Sequence, residues 1–447
     1  RRQRQMCIRD RETSKELLNF LSKSPTAFHA VENYRQILNA DGFKELLESE
    51  HWDIVPGGKY YVTRNNTSIL AFKVGTKLDN YSFNIVTSHT DSPTFKVKEN
   101  AEIEVKNKYT QLNTEGYGGM LCATWLDRPL SIAGRVLVSE GNSIVTKLLN
   151  IDRDLLMIPN VAIHMNRAAN DGFKYNLQVD MLPLLSGGDD RQKDFKQIIA
   201  DELGVKKEDI LGHDLYLYNR MAPSIWGANE EFISAGHLDD LQCGFASLKA
   251  LLAGYNDESI DIMACFDNEE VGSGTKQGAD STLLRDTLIR INNALGKTEE
   301  DYHRALASSF MLSADNAHAV HPNHPEHTDV TNCTYMNEGV VVKSHAGQKY
   351  TSDGVSMAVV KSLASGADVP LQYFANRSDK AGGSTLGNIA MAQASMNAVD
   401  IGLPQLAMHS SYETAGIKDT YYAIALMKAL FDSHIQETST HSLEIKR

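Results

Sequence analysis

The spacing of apolar residues changes period along the chain, and each period predicts a different kind of element. Over residues 13–24, TSKELLNFLSKS sets Leu17, Leu18, Phe20 and Leu21 at helical spacing behind the capping-box pair Thr13 and Glu16. A helix is predicted to open the fold there. A second helical stretch carrying Phe28, Val31, Ile37 and Leu38 stops at Asp41-Gly42. The segments KYYVTRNNTSILAFKVG and YSFNIVTSHTDSP are rich in β-branched and aromatic residues and predict strands.

From about residue 100 to 229 the pattern shortens into strand-like runs, EIEVKNKYTQL, SIAGRVLV, MIPNVAIHM and DLYLYNR, separated by Gly, Asn and Asp turns. This predicts a β-rich unit in which only DFKQIIADELGV reads as a helix. From Glu231 onward helices and apolar strands alternate: HLDDLQCGFASLKALLAGY, IDIMACFDNEE, STLLRDTLIRINNAL, SSFMLSADNAH. Such alternation predicts the α/β class, a mainly parallel sheet sandwiched by helices. TYYAIALMKALF predicts a helix as the chain's last element, and no internal repeat is visible.

Composition narrows the function classes. Hydrophobic residues make up 42% of the 447 and charged residues 23%, with 11 prolines, which excludes a disordered or collagenous chain. No stretch approaches the ~18 unbroken apolar residues of a membrane helix, so no membrane partner is expected. The formal net charge of −13 has the wrong sign for general nucleic-acid binding. Five scattered cysteines without a C-x-x-C pair fit a reduced, cytoplasmic protein, with neither a disulfide framework nor a thiolate zinc cluster. The first eleven residues, RRQRQMCIRDR, hold five arginines and no apolar core. They are expected to form a disordered basic arm rather than a secretory signal.

The candidate chemistry gathers where apolar runs end. FNIVTS is followed by His89-Thr90-Asp91, IDIMACF by Asp267-Asn268-Glu269-Glu270, FMLSA by Asp315-Asn316-Ala317-His318, and PQLAM by His409-Ser410. In a parallel sheet such positions converge on one crevice outside the carboxyl ends of the strands. Asp239 and Asp240, at the start of the helix after Glu231, are the further carboxylates. Two imidazoles and three carboxylates suit two divalent ions of the zinc class, one carboxylate bridging them at roughly 3.5–4 Å. Asp91 lies two residues after His89 and can accept the second imidazole N–H, orienting the ring. Glu269 and Glu270 are adjacent; in an extended chain they point apart, so one is expected as ligand and the other as general base, without the spacing saying which.

Other patterns carry less. GSGTKQG lacks the spacing of a phosphate-binding loop, and the residues around Ser356 predict a helix surface rather than a nucleophile elbow. His318, His321, His324 and His327 are metal-capable, but Pro322 and Pro325 predict a loop there.

Nine segments together resemble the aspartyl aminopeptidase family of dinuclear zinc exopeptidases: SHTDSPTFKVK, YGGMLCATWLDRPLSIAGRV, IPNVAIHMNR, HLDDLQCGFAS, ACFDNEEVGSGTKQGA, LSADNAHAVHPN, VVVKSHAGQKY, GGSTLGNIA and DIGLPQLAMHSSYET. The resemblance runs from about Glu12 to Asp432 in the family's order. It implies His89, Asp239, Glu270, Asp315 and His409 as metal ligands, with Asp239 bridging, His89 and Asp315 on one ion, and Glu270 and His409 on the other. Glu269 is then implied as the general base. His164 matches a histidine that reaches into a neighbouring subunit's active site, and Lys343 and Tyr350 match positions near the substrate pocket, where a lysine suits an acidic side chain. The implied cofactors are two divalent ions, zinc first, with manganese or cobalt fitting the same ligands.

The implied architecture is a catalytic domain of residues 12–99 and 230–447 interrupted by a β-rich dimerisation domain of residues 100–229, assembled into a tetrahedral homo-dodecamer. The implied activity is removal of an N-terminal residue, Asp or Glu, from short peptides. The chain departs from the family at His237-Leu238-Asp239-Asp240, where many members carry Arg-Leu-Asp-Asn. It departs again at residues 381–388, AGGSTLGN, where they carry Cys-Gly-x-Thr-Ile-Gly-Pro. These changes border the pocket and leave a neutral, Leu-like preference as an alternative; a dinuclear hydrolase of another amide and a non-catalytic assembly protein are the other readings.

Overall fold

Strands that are buried along their whole length must be covered on both faces, and two such strands, Ser82–His89 and Ser259–Phe266, lie side by side and parallel at the centre of the molecule. The computed structural model describes residues 2–447, with side chains from residue 5 onward. The central sheet has nine strands in the spatial order Lys44–Leu46, Lys59–Arg64, Ser68–Val74, Ser259–Phe266, Ser82–His89, Phe310–Ala314, Asn397–Gly402, Val340–Lys343 and Leu371–Phe374. Its middle four strands are mutually parallel. Antiparallel pairs enter on both flanks, through the Lys59–Arg64/Ser68–Val74 hairpin on one side and Val340–Lys343 on the other.

Side chains alternate between the two faces along each strand. Ile69, Ala71, Val86 and Met263 pack with the helices Ala27–Ala40, Leu238–Ala253, Gly354–Ala367 and Asp419–Phe431. Leu70, Phe72, Ile85 and Ile262 pack on the other face with Leu283–Ala294, Glu299–Ala307 and Leu386–Ala390. The α/β sandwich follows from that alternation.

A second sheet, wholly antiparallel, has six strands: Ser143–Asn150, Leu130–Glu140, Ile210–Asn219, Thr94–Val105, Tyr109–Tyr117 and Leu184–Gly187. It has a core of its own, in which Phe95, Trp125 and Ile132 meet Phe195 and Ile199 of the helix Phe195–Leu203. Its first strand begins at Thr94, ahead of the composition change near residue 100. A five-stranded sheet has the order Ser224–Trp226, Phe232–Ala235, Glu413–Gly416, Pro404–Leu406 and Ala317–His318.

Four expectations are corrected. The opening helix runs from Arg2 to Ser22, so residues 2–11 are helical rather than a disordered arm and Thr13 is interior rather than a cap. The buried face is Asp10, Ser14, Leu17 and Leu21, and its first two members are polar, which hides the stripe from a hydrophobicity pattern. MIPNVAIHM is a turn-containing loop, not a strand; Pro159 interrupts it, and Val161, Ile163 and Met165 stand exposed. The chain continues past the helix Asp419–Phe431 into a hairpin, His434–Ser439 with Ser442–Lys446, which buries Ile435. PQLAM contributes the strand Pro404–Leu406 to the five-stranded sheet, not to the central one.

Candidate metal centre and active site

The parallel strands end at a common edge, and their next residues are charged. His89 closes its strand, Asp315 follows Phe310–Ala314 directly, and Glu269 and Glu270 sit in the short 3-10 turn Glu269–Val271 after Ser259–Phe266. Asp239 and Asp240 have non-helical backbone angles at the start of Leu238–Ala253, so both carboxyls turn inward ahead of the regular helix. His409, in the left-handed region at φ 71°, lies between two strands of the five-stranded sheet.

These five segments bring the imidazoles and carboxylates together. His89 Nε2 is 3.2 Å from Asp239 Oδ1, 3.3 Å from Asp315 Oδ1 and 3.6 Å from Glu269 Oε2. His409 Nε2 is 3.3 Å from Asp239 Oδ2 and 3.2 Å from Glu270 Oε2. Asp239 therefore faces one imidazole with each carboxylate oxygen.

The far nitrogen of each ring is pinned. His89 Nδ1 lies 3.1 Å from Asp91 Oδ1 and 3.0 Å from the Asp91 carbonyl, and His409 Nδ1 lies 2.9 Å from the Gly119 carbonyl. All these partners are acceptors, so each Nδ1 carries a proton and each Nε2 can offer its lone pair to the cluster. Asp91 has a second task. Its carboxylate accepts the backbone N–H groups of Glu269 (3.2 Å) and Glu270 (3.0 Å), which fixes the turn presenting both glutamates. The turned backbone sends the two apart although it is not extended, Glu269 toward His89 and Glu270 toward His409.

The donor set fits metal ions. Asp239 Oδ1 and Glu270 Oε1 are buried without a hydrogen-bond partner, and Asp239 Oδ1 is near His89 Nε2 but not aligned with it. Orphaned buried carboxylate oxygens are costly unless something positive meets them. His89, Asp239, Asp240 and Asp315 form one buried group able to hold an ion, and Asp239, Glu270 and His409 form another, partly buried one.

Electrostatics without an ion agree. Burial, with Asp315 adding to it, pushes the Glu269 carboxyl up to about 9, and burial with Asp239 pushes Glu270 to about 7. Burial alone would also raise Asp239, but the imidazoles of His409 and His89 overcome it and hold that carboxyl well below the usual range. Burial opposes the charged form of His409, yet Asp239 and Glu270 outweigh it and raise the ring to about 11. The carboxylates thus compete for positive charge.

The sequence points to Asp240 beside Asp239 without giving its role, and two further supporting groups, Glu413 and Tyr117, are not legible in it. Glu413 is buried, and its carboxylate accepts the backbone N–H groups of Asp239 (3.2 Å) and His409 (3.0 Å) and the Gln405 amide (2.7 Å). Asp240 accepts the His89 backbone N–H at 3.1 Å. Tyr117, from the six-stranded sheet, donates its hydroxyl to Asp91 at 2.7 Å and accepts from the Asn268 amide at 2.9 Å.

The remaining expected residues fall elsewhere. Lys343 is buried at the end of its strand, its ammonium donating to the Asn316 carbonyl at 2.9 Å and lying 5.7 Å from the Tyr350 ring centre. His164 is outside the cluster, on an exposed turn. A cavity of about 270 Å³ lined by His237, His409, Glu413, Tyr218 and Arg220 adjoins the cluster.

The family model described as aminopeptidase I zinc metalloprotease (M18) matches residues 20–431. The chain belongs to the M18 aminopeptidase family. It is accordingly a hydrolase, a zinc metalloprotease of the aminopeptidase type. Among M18 relatives, the probable M18 family aminopeptidase 2 of Clostridium novyi is 47% identical over 423 residues, 93% of this chain and 98% of that one. The protein of the same name from Stutzerimonas stutzeri is 39% identical over 428 residues, 94% and 98% of the two chains. A solved structure of the Ape4 and Nbr1 complex contains a chain 34% identical, with a TM-score of 0.92 over 95% of this chain and 86% of that one. The S. cerevisiae mApe1 dodecamer is 28% identical, with a TM-score of 0.82 over 93% and 95%. Among the described residues no helix is long and apolar enough to cross a membrane.

Proposed function

We propose that this M18 aminopeptidase uses two divalent ions to release an N-terminal Asp or Glu from short peptides. The observation that carries the reading is the Asp239 carboxylate, with Oδ1 3.2 Å from His89 Nε2 and Oδ2 3.3 Å from His409 Nε2. His89 and Asp315 would hold one ion, Glu270 and His409 the other, with Asp239 shared; zinc is the first assignment, and manganese or cobalt suits the same donors. When bound, the ions polarise the scissile amide, anchor the free amino terminus and lower the pKa of the attacking water.

The chain's own residues do the rest. Glu269, whose carboxylate is 14% exposed while the His89 ring is fully buried, takes the proton from the attacking water and returns it to the leaving amine nitrogen. Asp91 keeps the His89 ring in the required tautomer and holds Glu269 in place through its backbone N–H. Lys343 and Tyr350 would supply the acid preference, the buried ammonium holding positive charge at the Asn316 carbonyl, one residue from Asp315. A neutral, Leu-like preference is the second reading, favoured by the engagement of that ammonium with the Asn316 carbonyl. The dodecamer of the mApe1 relative supports a homo-oligomer here, which we take to be a tetrahedral dodecamer paired through the unit built on the six-stranded sheet. His164, exposed beside Val161, Ile163 and Met165, would then complete a neighbouring subunit's site. Five free cysteines suit a cytoplasmic setting.

The test is release of p-nitroaniline from Asp, Glu, Leu and Lys p-nitroanilides before chelation, after it, and after metal is restored. Chelator-sensitive cleavage, fastest on the Asp or Glu compound, is expected. Fastest cleavage of the Leu compound selects the second reading, and no cleavage by fully metallated protein overturns the proposal. Glu269→Gln should keep its metal and fold while slowing turnover by about 10²-fold or more.

A further inference from the structure

The segment after the strand Ala317–His318 carries a second set of metal-capable side chains, distinct from the catalytic cluster. Every residue of His321-Pro322-Asn323-His324-Pro325-Glu326-His327 is exposed, and the last three form a 3-10 turn. One donor atom from each of His324, Glu326 and His327 can be chosen so that all lie within 4.8 Å of one another. His324 Nδ1 is 3.0 Å from Glu326 Oε1, and His327 Nε2 is 4.0 Å from the same oxygen. The two rings are 5.1 Å apart between centres and inclined by 32°.

Tetrahedral zinc, with bonds near 2.0–2.1 Å, needs donor atoms separated by about 3.3 Å. The present separations bracket that value, so rotations of exposed side chains suffice to close the set, with water in the fourth position. The backbone beneath is already built. His324 and His327 donate their N–H groups to the carbonyls of His321 (3.0 Å) and His324 (3.1 Å), and Thr328 Oγ1 donates to the Pro325 carbonyl at 2.8 Å. Arg377 donates to the Glu326 carbonyl, and Pro322 and Pro325 restrict the turn further. His321 is a neighbour outside the set of mutually close donors, and its Nδ1 accepts the Asn323 N–H at 3.1 Å.

We propose that His324, Glu326 and His327 form a surface site for a single transition-metal ion of the zinc class, separate from the catalytic pair. Two imidazoles and a carboxylate on one turn are the donor types such ions select. The ion would bridge both ends of the 3-10 turn and stiffen the loop that Arg377 ties to the segment after Leu371–Phe374.

The site is tested on the full chain, stripped with chelator and dialysed against buffered zinc. Zinc per chain is counted for the unmodified protein, for His324→Gln/His327→Gln and for Asp239→Asn. The double variant should hold one equivalent less than the unmodified protein, and Asp239→Asn should lose catalytic-cluster zinc while retaining the loop equivalent. Failure of the catalytic reading would therefore leave this count intact. Diethyl pyrocarbonate labelling read by mass spectrometry locates the ion: zinc should suppress labelling of His324 and His327 at least ~10-fold, as metal ligation occupies the reactive nitrogen. His303 is the internal control, being 63% exposed and paired with a single glutamate, Glu299, at 3.7 Å. Equal zinc content in the unmodified protein and the double variant, or labelling of His324 and His327 as indifferent to zinc as that of His303, overturns the proposal.

Discussion

At the scale of single residues, Glu413 shows how the cluster is held from behind. Its two oxygens collect the backbone N–H groups of Asp239 and His409, so one carboxylate sets the positions of two candidate ligands from different elements. Replacing it with glutamine keeps the volume but turns one acceptor into a donor, leaving a buried N–H group facing an NH₂. Glu413→Gln is expected to fold normally while its zinc affinity falls by about 10–100-fold, the usual cost of losing an outer partner of a ligand. Competition against a chromogenic chelator measures this; unchanged affinity would remove Glu413 from any role in positioning. The same residue marks where sequence reading stops. His89 and Asp315 stand out because a polar group follows an apolar strand, and strand ends in a parallel sheet share an edge. Glu413 and Tyr117 reach the cluster from other sheets, through contacts between residues far apart in the chain that no local spacing encodes. Asp240 reaches it from beside Asp239, but its acceptor role depends on a local backbone turn that a helical reading conceals.

At the scale of elements, period was a good guide to the central strands and a poor one to the N-terminal helix. The middle strands contribute apolar residues to the cores on both faces of the sheet, so either choice of face finds a core. The helix Arg2–Ser22 instead buries Asp10 and Ser14 on the face that holds Leu17 and Leu21, with Ser14 Oγ donating to the Ile417 carbonyl at 2.8 Å. A polar residue whose hydrogen bond is made in the tertiary structure looks like surface in the sequence. The division of labour along this helix is testable. Leu17 is fully buried in the core shared with Asp419–Phe431, and Met6 is 39% exposed. Leu17→Ala should lose about 2–5 kcal/mol in urea unfolding of the metal-loaded protein, whereas Met6→Ala should stay within about 0.5 kcal/mol. Equal effects would mean that the helix does not dock through the Leu17 face.

At the scale of the whole molecule, the cluster ties stability to both metal and pH. Without ions, folding presses Glu269, Glu270, Asp239 and Asp315 against two imidazoles, and the folded state answers by holding protons. Glu269 is raised to about 9 and Glu270 to about 7 by burial and by neighbouring carboxylates. The stability these groups contribute is complete below the ordinary glutamate pKa and is lost as pH rises through the raised values. His409, raised to about 11 because its two carboxylate partners outweigh burial, acts in the same direction, since its contribution declines once the unfolded chain stops binding that proton above about 6.5. Metal-free protein should therefore lose stability steadily from about pH 5 to pH 9. Metal ligation needs the same carboxylates ionised and the imidazoles neutral at Nε2, so binding strengthens over that interval. The difference in urea midpoint between metal-loaded and chelator-stripped protein should accordingly widen as pH rises from 5 to 8. In Asp239→Asn, where the shared carboxylate is gone, the difference should become small and nearly independent of pH. A gap that narrows toward pH 8 in the unsubstituted protein would mean that the carboxylates do not hold protons in the metal-free fold, and that the ions enter a cluster already charged.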